Sequence, residues 1–340
     1  YAKSGLSDQD LVTELGGLLR DSVQRQLVAD VPVGVLLSGG VDSSIITALA
    51  SQCTKNVKTF TIGMPGDKRL DETPHARLIS NHFGTEHVEL NIQSNSVTLL
   101  QDLAKQFDEP IIDSSMIPTY LVSNLVKKHC KVALGGDGGD ELFGGYSHYR
   151  RMLWVEQGFK WIPHAVRGLV SLAASKSLAH GMKGRNWLQG LGEDLGNGVP
   201  QIANYFDPAF RRKLIPNVNK NSLVAEEIRR SYISSDSDLL QRATRLDFKT
   251  YLAEDILVKV DRASMINSLE VRAPFLDYRL IEFAFSKIPS HLKATTKSSK
   301  IALKMLAAKL LPDEFDFNRK QGFSIPLSQW LAQGEYRELF

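Results

Sequence analysis

Residues 36–44 carry the pattern best suited to chemistry in this chain. They read Leu-Leu-Ser-Gly-Gly-Val-Asp-Ser-Ser and lie between an apolar, β-prone stretch and a run with helical character. A loop that leads from a strand into a helix N-terminus gathers backbone N–H groups and the positive end of the helix dipole. Adjacent glycines let this backbone turn tightly and approach a ligand, and the serines add hydroxyl donors. The loop therefore predicts a binding site for a phosphate or pyrophosphate.

Asp42 is the unexpected member of this loop, because a carboxylate repels a phosphate unless a cation lies between them. Mg²⁺ binds carboxylate and phosphate oxygens while keeping several waters, so Asp42 is a predicted Mg²⁺ ligand. The loop is not a Walker A motif, since no Gly-Lys-Ser/Thr follows. It resembles the pyrophosphate-binding loop of the N-type ATP pyrophosphatases, which cleave ATP to AMP and pyrophosphate. The resemblance implies ATP and Mg²⁺ as cofactors; the alternative is an ordinary strand–helix turn with chance serines.

A second motif at 135–145 reads Gly-Gly-Asp-Gly-Gly-Asp-Glu-Leu-Phe-Gly-Gly and follows a predicted strand. Acidic residues cannot bind a phosphate directly, so they need a metal ion, an ammonium group or a proton. Asp140 is a candidate second Mg²⁺ ligand beside Asp42, and Asp137 is a candidate for proton transfer. The alternative is an Asp/Gly turn that caps a helix beginning at Glu141.

A third stretch, 254–278, is apolar with charges at helical spacing. These charged residues are Asp255, Lys259 and Arg262. They predict a polar helix face turned toward a cleft. For most of them a structural ion-pair network, such as Glu270 with Arg272 or Arg262, is the preferred interpretation. Asp255 is the functional candidate of the group.

The elements that must position these motifs alternate between strand and helix. Strands are predicted at Val33–Leu37, Val57–Gly63, Glu86–Asn91 and Lys131–Gly135. Helices are predicted at 8–29, from Ser43 onward, and at Glu72–Phe83, Val97–Phe107 and Ser114–Lys128. This alternation predicts an α/β fold with a doubly wound parallel sheet, whose loops at Ser38, Gly63 and Gly136 should meet at one site. The pattern weakens from about 150 to 235, and from Leu239 it is helical to the end.

Composition bounds the function. The 340 residues are 43% hydrophobic and 23% charged with a net charge of +3, which is ordinary for a soluble protein and too small to favour nucleic-acid binding. The chain has two cysteines, Cys53 and Cys130, which we expect to be buried free thiols in a reducing compartment. There is no apolar run of membrane-spanning length and no signal-peptide pattern, so a cytoplasmic protein without membrane contact is predicted.

Taken together, the motifs resemble the synthetase domain of the glutamine-dependent asparagine synthetases. Two further stretches carry the resemblance, which covers about residues 8–333: Asp-Ser-Ser-Met-Ile-Pro-Thr-Tyr at 113–120 and Lys-Gln-Gly-Phe-Ser-Ile-Pro-Leu at 320–327. It implies a Rossmann-like, adenine nucleotide α-hydrolase-like fold and an ATP-dependent amide-forming ligase. In that family the aspartate carboxylate attacks the α-phosphorus of ATP, giving aspartyl-adenylate and Mg-pyrophosphate, and ammonia then displaces AMP.

The resemblance also implies residue roles. The pyrophosphate loop corresponds to Ser38, Gly39, Gly40, Asp42, Ser43 and Ser44, with Asp42 and Asp140 as the metal ligands. The positions that hold the nucleotide base and ribose correspond to Leu37 and Ile62, and the backbone pair that contacts ATP corresponds to Gly135 and Gly136. Lys300 corresponds to a lysine that stabilises charge around the α-phosphate, and Asp255 to a carboxylate near the amino-acid substrate. Asp137 is placed to take the proton from the attacking ammonia.

The implied organisation has four parts. These are an N-terminal helix (1–30), an ATP-pyrophosphatase core (31–150), a helical or irregular insertion (151–240) and a helical part that completes the cleft (241–340). The family's N-terminal glutaminase domain is absent from this chain and is an expected partner in a full-length protein. Ammonia and a small carboxylate are the expected substrates, and a homodimer is one option.

Two differences from the family's sequence pattern leave alternative functions open. Well-studied members of the family carry glutamate where Asp137 stands and an arginine near Ser114, so a carboxylate other than aspartate is an alternative substrate. Intramolecular amide formation of the β-lactam synthetase type uses a tyrosine–glutamate pair, for which Tyr251 and Glu254 are the candidates. An inactive binding domain that retains the fold is the non-enzymatic alternative.

Overall fold

The computed structural model describes residues 5–63, 71–91, 98–107, 109, 113–179, 182–192, 195, 224–233 and 238–319. The predicted motif at 320–327 lies outside these residues.

Five parallel strands form the central sheet. They are β1 (Val33–Leu36), β2 (Lys58–Gly63), β3 (Glu86–Asn91), β4 (Val132–Leu134) and β5 (Glu270–Arg272), in the order β3-β2-β1-β4-β5. β1 is central, since Val35 pairs with Thr59 of β2 and with Leu134 of β4. The predicted parallel α/β sheet is confirmed, and its first four strands begin and end within one residue of the predicted bounds.

The fifth strand corrects the prediction that the chain is helical from Leu239 onward. β5 pairs in parallel with β4, with Val271 opposite Ala133. Its three residues include two charged side chains, Glu270 and Arg272, so it shows neither an apolar run nor a clear alternation. The hydrogen bonds of a neighbouring strand stabilise it, and a local pattern does not reveal such a partner.

Helices account for most of the other described elements. The helices that precede β4 are α1 (Asp8–Gln26), α2 (Val41–Cys53), α3 (Thr73–Phe83), α4 (Thr98–Gln106) and α5 (Met116–Val126). After β4 follow α6 (Gly139–Phe143), α7 (Ser147–Phe159), α8 (His164–Ser177), α9 (Arg185–Gly190), α10 (Val224–Ser231) and α11 (Leu239–Asp247). A π-helix (Phe248–Ile256), α12 (Leu257–Met265), a 3₁₀ turn (Pro274–Leu276), α13 (Tyr278–Ser286), α14 (Ser290–Lys293) and α15 (Ile301–Ala307) complete the order. None of the helices in the described ranges is both long enough and apolar enough to cross a membrane.

The chain divides into two compact units. The sheet unit comprises Leu6–Gly138, Ala253–Ile281 and Leu303–Phe340, and the helical unit comprises Tyr1–Gly5, Gly139–Leu252 and Glu282–Ala302. One core cluster of the sheet unit contains Phe60, Ile62, Leu90, Val122, Val126, Cys130, Ala133 and Leu269. A core cluster of the helical unit contains Tyr149, Met152, Val155, Leu195, Leu239, Leu240, Ala243 and Ala294. The four-part division expected from the sequence stays a prediction.

The two cysteines differ from each other. Both are free thiols, as predicted, but Cys53 is exposed whereas Cys130 is buried. Cys53 is the last residue of α2. Its apolar neighbours in the sequence belong to the buried face of that helix, so the prediction that it is buried was wrong.

Candidate active site

The strand order places the first two motifs next to each other. From β1 the chain proceeds to β2 and β3 on one side, and it returns to β4 and β5 on the other. Ligands of open α/β sheets bind beyond the carboxyl ends of the strands at the point where the order reverses. Here that point lies between β1 and β4. The loops at Ser38 and Gly136, which leave these two strands, therefore flank the expected ligand position.

Serine side chains hold the loop after β1 in shape. The backbone N–H of Ser38 donates to Ser43 Oγ at 3.2 Å, and the two hydroxyl oxygens lie 3.0 Å apart. The backbone N–H of Gly40 donates to Ser38 Oγ at 3.3 Å. Gly40 is also the N-cap of α2 and has no side chain to cap it, so the first-turn N–H groups remain for an anion or water. These contacts fix the shape of a loop that could hold a phosphate.

Gly39 is required at the tip of this loop. Its φ is +71°, in the left-handed region that favours glycine. A Cβ there would lie 2.6 Å from His75 Cβ and 2.8 Å from the backbone nitrogen of Ala76. The first turn of α3 is therefore in direct contact with the phosphate loop.

The loop after β4 packs against the N-terminus of α2. A Cβ on Gly136 would lie 3.2 Å from Asp42 Cβ and 3.6 Å from the backbone nitrogen of Ser43. A Cβ on Gly135 would lie 2.9 Å from Asp137 Oδ2, so the carboxylate of Asp137 folds back over that glycine. The structure thus brings Asp42, Gly135, Gly136 and Asp137 together in the sheet unit. Of the three loops expected to meet, those after β1 and β4 do so, and the loop after Gly63 lies outside the described residues.

Leu37 and Ile62 are buried, with exposures of 1% and 6%. The backbone N–H of Leu37 donates to the carbonyl of Phe60 at 2.8 Å, and its carbonyl accepts from the hydroxyl of Thr61. Their side chains belong to the core, so any contact of these two residues with a nucleotide falls to main-chain atoms.

The helical unit contains an ion pair between Lys300 and Asp140, and Asp140 belongs to the second motif. Lys300 Nζ lies 2.9 Å from Asp140 Oδ1, with the two side chains 12% and 27% exposed. Gly145 leaves room for this pair, because a Cβ on it would lie 2.2 Å from Lys300 Cε. Lys300 has a φ of +54°, which is uncommon for a residue with a side chain.

The same unit contains a hydrogen-bonded tyrosine–glutamate pair, Tyr146 and Glu141. Tyr146 Oη donates to Glu141 Oε1 at 2.5 Å, and the pKa of Tyr146 is raised well above its usual range by burial and by the carboxylates of Glu141 and Asp140. The ring of Tyr251 packs against that of Tyr146 at 5.8 Å. Sequence reasoning missed this pair, since Glu141 was assigned only to a helix start and no local signal links it to Tyr146.

Asp255 lies on the π-helix, and π-helical segments are frequent at functional sites. Its Oδ1 is buried without a hydrogen-bond partner among the described residues. Burial raises the pKa of Asp255; the carboxylate of Asp113 raises it further, and the ammonium of Lys259 opposes both. The surroundings of Asp255 therefore stabilise its charged form poorly.

The other charges of the third stretch are structural, as preferred from the sequence. Lys259 Nζ donates to Asp113 Oδ2 at 2.8 Å and to Ser115 Oγ at 2.7 Å. Burial alone would raise the pKa of Asp113, but Lys259 and the hydrogen bonds from Ser115 outweigh it and hold that pKa below its usual value. Arg272 pairs with Glu270 at 2.7 Å, which confirms the predicted pair.

Comparison with known proteins decides the family. The sequence model described as "Asparagine synthase" matches residues 14–340. The chain belongs to the asparagine synthase family. This membership confirms the resemblance drawn from the motifs.

Two relatives illustrate how similar this asparagine synthase family member is to other proteins. It is 33% identical over 327 residues to glutamine-hydrolysing asparagine synthetase 1 of Bacillus subtilis, covering 95% of this chain. It is 34% identical over 334 residues to a putative glutamine-hydrolysing asparagine synthetase of Mycobacterium tuberculosis, covering 98% of this chain. The chain spans 51% of the length of each. A solved NH₃-dependent NAD synthetase of Campylobacter jejuni is 16% identical and covers 50% of this chain and 85% of its own, with a TM-score of 0.28, a likeness too slight to bear on this fold.

The carboxylates near the loops of this asparagine synthase family member suit a Mg²⁺ ion that takes most of its ligands from phosphate oxygens. Within the described ranges, no group of three or more His, Cys, Asp or Glu side chains could form a protein cage for a metal. Mg²⁺ at nucleotide sites takes one or two carboxylates together with phosphate oxygens and water. Asp42 beside the phosphate cradle suits this mode of binding.

Proposed function

We propose that this chain is an ATP-dependent amide-forming ligase. In its first step a carboxylate oxygen of the substrate attacks the α-phosphorus of ATP, and the bond to the β-phosphate breaks to release pyrophosphate. In the second step ammonia attacks the acyl carbon of the adenylate, loses a proton and displaces AMP. The observation that carries the proposal is the serine- and glycine-rich cradle at the β1/β4 switch point, which is packed against a second loop that bears an acid.

Aspartate is the proposed carboxylate and asparagine the proposed product. The support is the family and the names of relatives that cover most of this chain, which are asparagine synthetases. Asp255, with its buried and unpartnered Oδ1, is the proposed carboxylate for the substrate's amino group.

The sheet unit supplies most of the proposed nucleotide contacts. Ser38, Gly39, Gly40, Ser43 and Ser44 bind the β- and γ-phosphates through backbone N–H and hydroxyl groups. Leu37 and Ile62 contact the base and ribose through main-chain atoms, and Gly135 and Gly136 contact ATP through their backbone. Asp137 accepts the proton from ammonia as the amide forms. Each of these roles is proposed from position in the fold and from the family.

Asp42 and Asp140 are the proposed Mg²⁺ ligands, and the ion would supply electrostatic stabilisation of phosphate charge. Lys300 would stabilise charge on the α-phosphate. Its ion pair with Asp140 at 2.9 Å positions the ammonium group.

Exchange of labelled pyrophosphate into ATP tests the first step. The assay contains Mg²⁺ and a panel of carboxylates, aspartate first, with and without ammonium chloride. Exchange with aspartate, and AMP plus asparagine after ammonium is added, is the expected result. Exchange with another acid alone would keep the mechanism and replace the substrate. Absence of exchange with every acid would contradict the ligase and favour a domain that retains only the fold.

Asp42→Asn tests the metal assignment. We expect loss of exchange by about 10²-fold or more, because a neutral amide binds Mg²⁺ less well than a carboxylate. The half-buried position of Asp42 at the helix start predicts an unchanged fold by circular dichroism. The exposed Asp30→Asn is the matched control. An Asp42→Asn enzyme with near-normal exchange would contradict the role in metal binding.

A further inference from the structure

Charged groups at the start of α3 have no role in the proposed mechanism. Glu72 immediately precedes α3 and is 9% exposed. Its Oε1 lies 3.8 Å from Nη2 of Arg319, whose side chain is 14% exposed. This distance allows an ion pair but exceeds a hydrogen bond. Glu72 and Arg319 thus form a largely buried ion pair that the proposed mechanism does not use.

Burial outweighs Arg319 in its effect on the pKa of Glu72. Burial raises the pKa of Glu72 to about 7; Arg319 lowers it only in part, and Asp71 raises it further. The charge of Arg319 also acts on the first turn of α3. Burial and then Arg319 lower the pKa of His75, while Asp316 and Asp71 raise it.

The same turn of α3 touches the phosphate loop. His75 and Ala76 lie against Gly39 so closely that a Cβ on that glycine would overlap them. Arg319, which pairs with the residue that precedes α3, therefore lies next to the helix turn that contacts the phosphate loop. All of these residues belong to the sheet unit.

We propose that Arg319 is a pyrophosphate-binding residue and that Glu72 is a positioning residue that orients it. This inference rests on the proposed ligase function, in which pyrophosphate leaves with the electron pair of the broken phosphate bond. A guanidinium can bind two phosphate oxygens side by side, and it stabilises the charge that develops on the leaving group. Arg319 would act on the β- and γ-phosphates, and AMP, which lacks them, would not need it.

Calorimetric titration of the whole chain with Mg-pyrophosphate, Mg-ATP and AMP tests this role. Arg319→Gln should weaken the binding of pyrophosphate and ATP by about 10- to 100-fold and leave the affinity for AMP unchanged. The matched control is Arg77→Gln, which removes an exposed arginine of α3 that pairs with Glu89 at 2.7 Å. This control should change none of the three affinities. Equal losses for AMP and pyrophosphate would show a structural role and overturn the inference.

Two further variants separate position from charge. Glu72→Gln should weaken pyrophosphate binding less than Arg319→Gln does, and it should add little in the Arg319→Gln background because the two residues act together. If Arg319→Gln does not fold, Arg319→Lys keeps the charge and should still lose several-fold in pyrophosphate affinity. Unaltered pyrophosphate affinity in a folded Arg319 variant overturns this inference alone. Absence of exchange in the wild-type chain overturns the ligase function itself.

Discussion

At Lys300 the backbone adopts a left-handed conformation, with a φ of +54°, directly before α15. For residues other than glycine, this conformation costs roughly 1–2 kcal/mol of stability. The side chain is directed to Asp140 at 2.9 Å. Backbone strain of this kind persists where the surrounding structure imposes it, and it is concentrated at functional sites. The strain and the ion pair together mark Lys300 as a residue placed for its ammonium group.

A pair of substitutions separates the strain from the charge. Lys300→Gly and Lys300→Ala both remove the ammonium group, and we expect both to reduce exchange by about 10²-fold or more. Lys300→Gly should have the higher free energy of unfolding, by about 1 kcal/mol, since glycine adopts this φ without strain. Urea unfolding of both variants measures the difference. An alanine variant as stable as the glycine variant would contradict the strain.

Lys293 is a second lysine with an unusual environment. It is fully buried, donates to Gln241 Oε1 at 3.0 Å and lies 4.5 Å from the centre of the Phe285 ring. Burial, aided by Arg245, lowers the pKa of Lys293 to about 7, and Asp238 opposes this shift. The unfolded chain keeps the ordinary pKa, so between these values folding must release a proton. The wild type therefore loses stability as the pH falls from about 10.5 to about 7.

Lys293→Met should remove this dependence. Its free energy of unfolding relative to wild type should rise by about 1–3 kcal/mol between pH 9 and pH 7, since each pH unit in the window contributes about 1.4 kcal/mol at most. The comparison across pH cancels the constant cost of the lost bond to Gln241. Urea unfolding at the two pH values is the measurement, with the exposed Lys297→Met as control. An equal difference at both pH values would show that Lys293 is charged when folded.

Among the elements, the phosphate loop and α3 depend on each other through Gly39. Gly39→Ala should destabilise the chain and weaken ATP binding, because a Cβ meets the backbone of α3 and the φ of +71° is strained. Gly84→Ala, at the other end of α3, shares a positive φ of +63° but has nothing within 4 Å of the added Cβ. It should cost about 1 kcal/mol and spare ATP binding, whereas Gly39→Ala should cost more. Similar losses in both variants would contradict the contact.

The sequence predicts the elements whose signal is local. β1 and β4 are short apolar runs, β2 and β3 place apolar residues at alternate positions, and the phosphate loop combines its donors within nine residues, so all of these were predictable. β5 was not, because its stability comes from β4. The pairs Asp113–Lys259, Asp140–Lys300 and Glu72–Arg319 join residues far apart in the chain, and one sequence carries no signal for such contacts. The site loops were therefore predicted, and Lys300 was assigned through the family resemblance, but the pairing of these charged residues was not predicted.

At the scale of the whole molecule, the proposed reaction requires a source of ammonia. A thiol that hydrolyses glutamine must react as its thiolate, which is favoured by a lowered pKa. The chain has only two cysteines, and burial raises the pKa of both Cys53 and Cys130. Cys130 is in addition packed in the core beneath the sheet, and Cys53 ends α2. Neither is suited to act as a nucleophile.

We therefore expect this 340-residue chain to form the amide with ammonium chloride and not with glutamine. The measurement is AMP and asparagine production from ATP and aspartate with each nitrogen source. The double variant Cys53→Ser/Cys130→Ser should keep the ammonium-dependent rate, since neither thiol touches the phosphate loop or its acids in the described residues. If the wild type forms the amide from glutamine and the double variant does not, this assignment is wrong. One of the two thiols would then be a glutaminase nucleophile. If the chain uses ammonium and not glutamine, the glutamine hydrolysis named for relatives about twice as long is assigned to the half that this chain does not match.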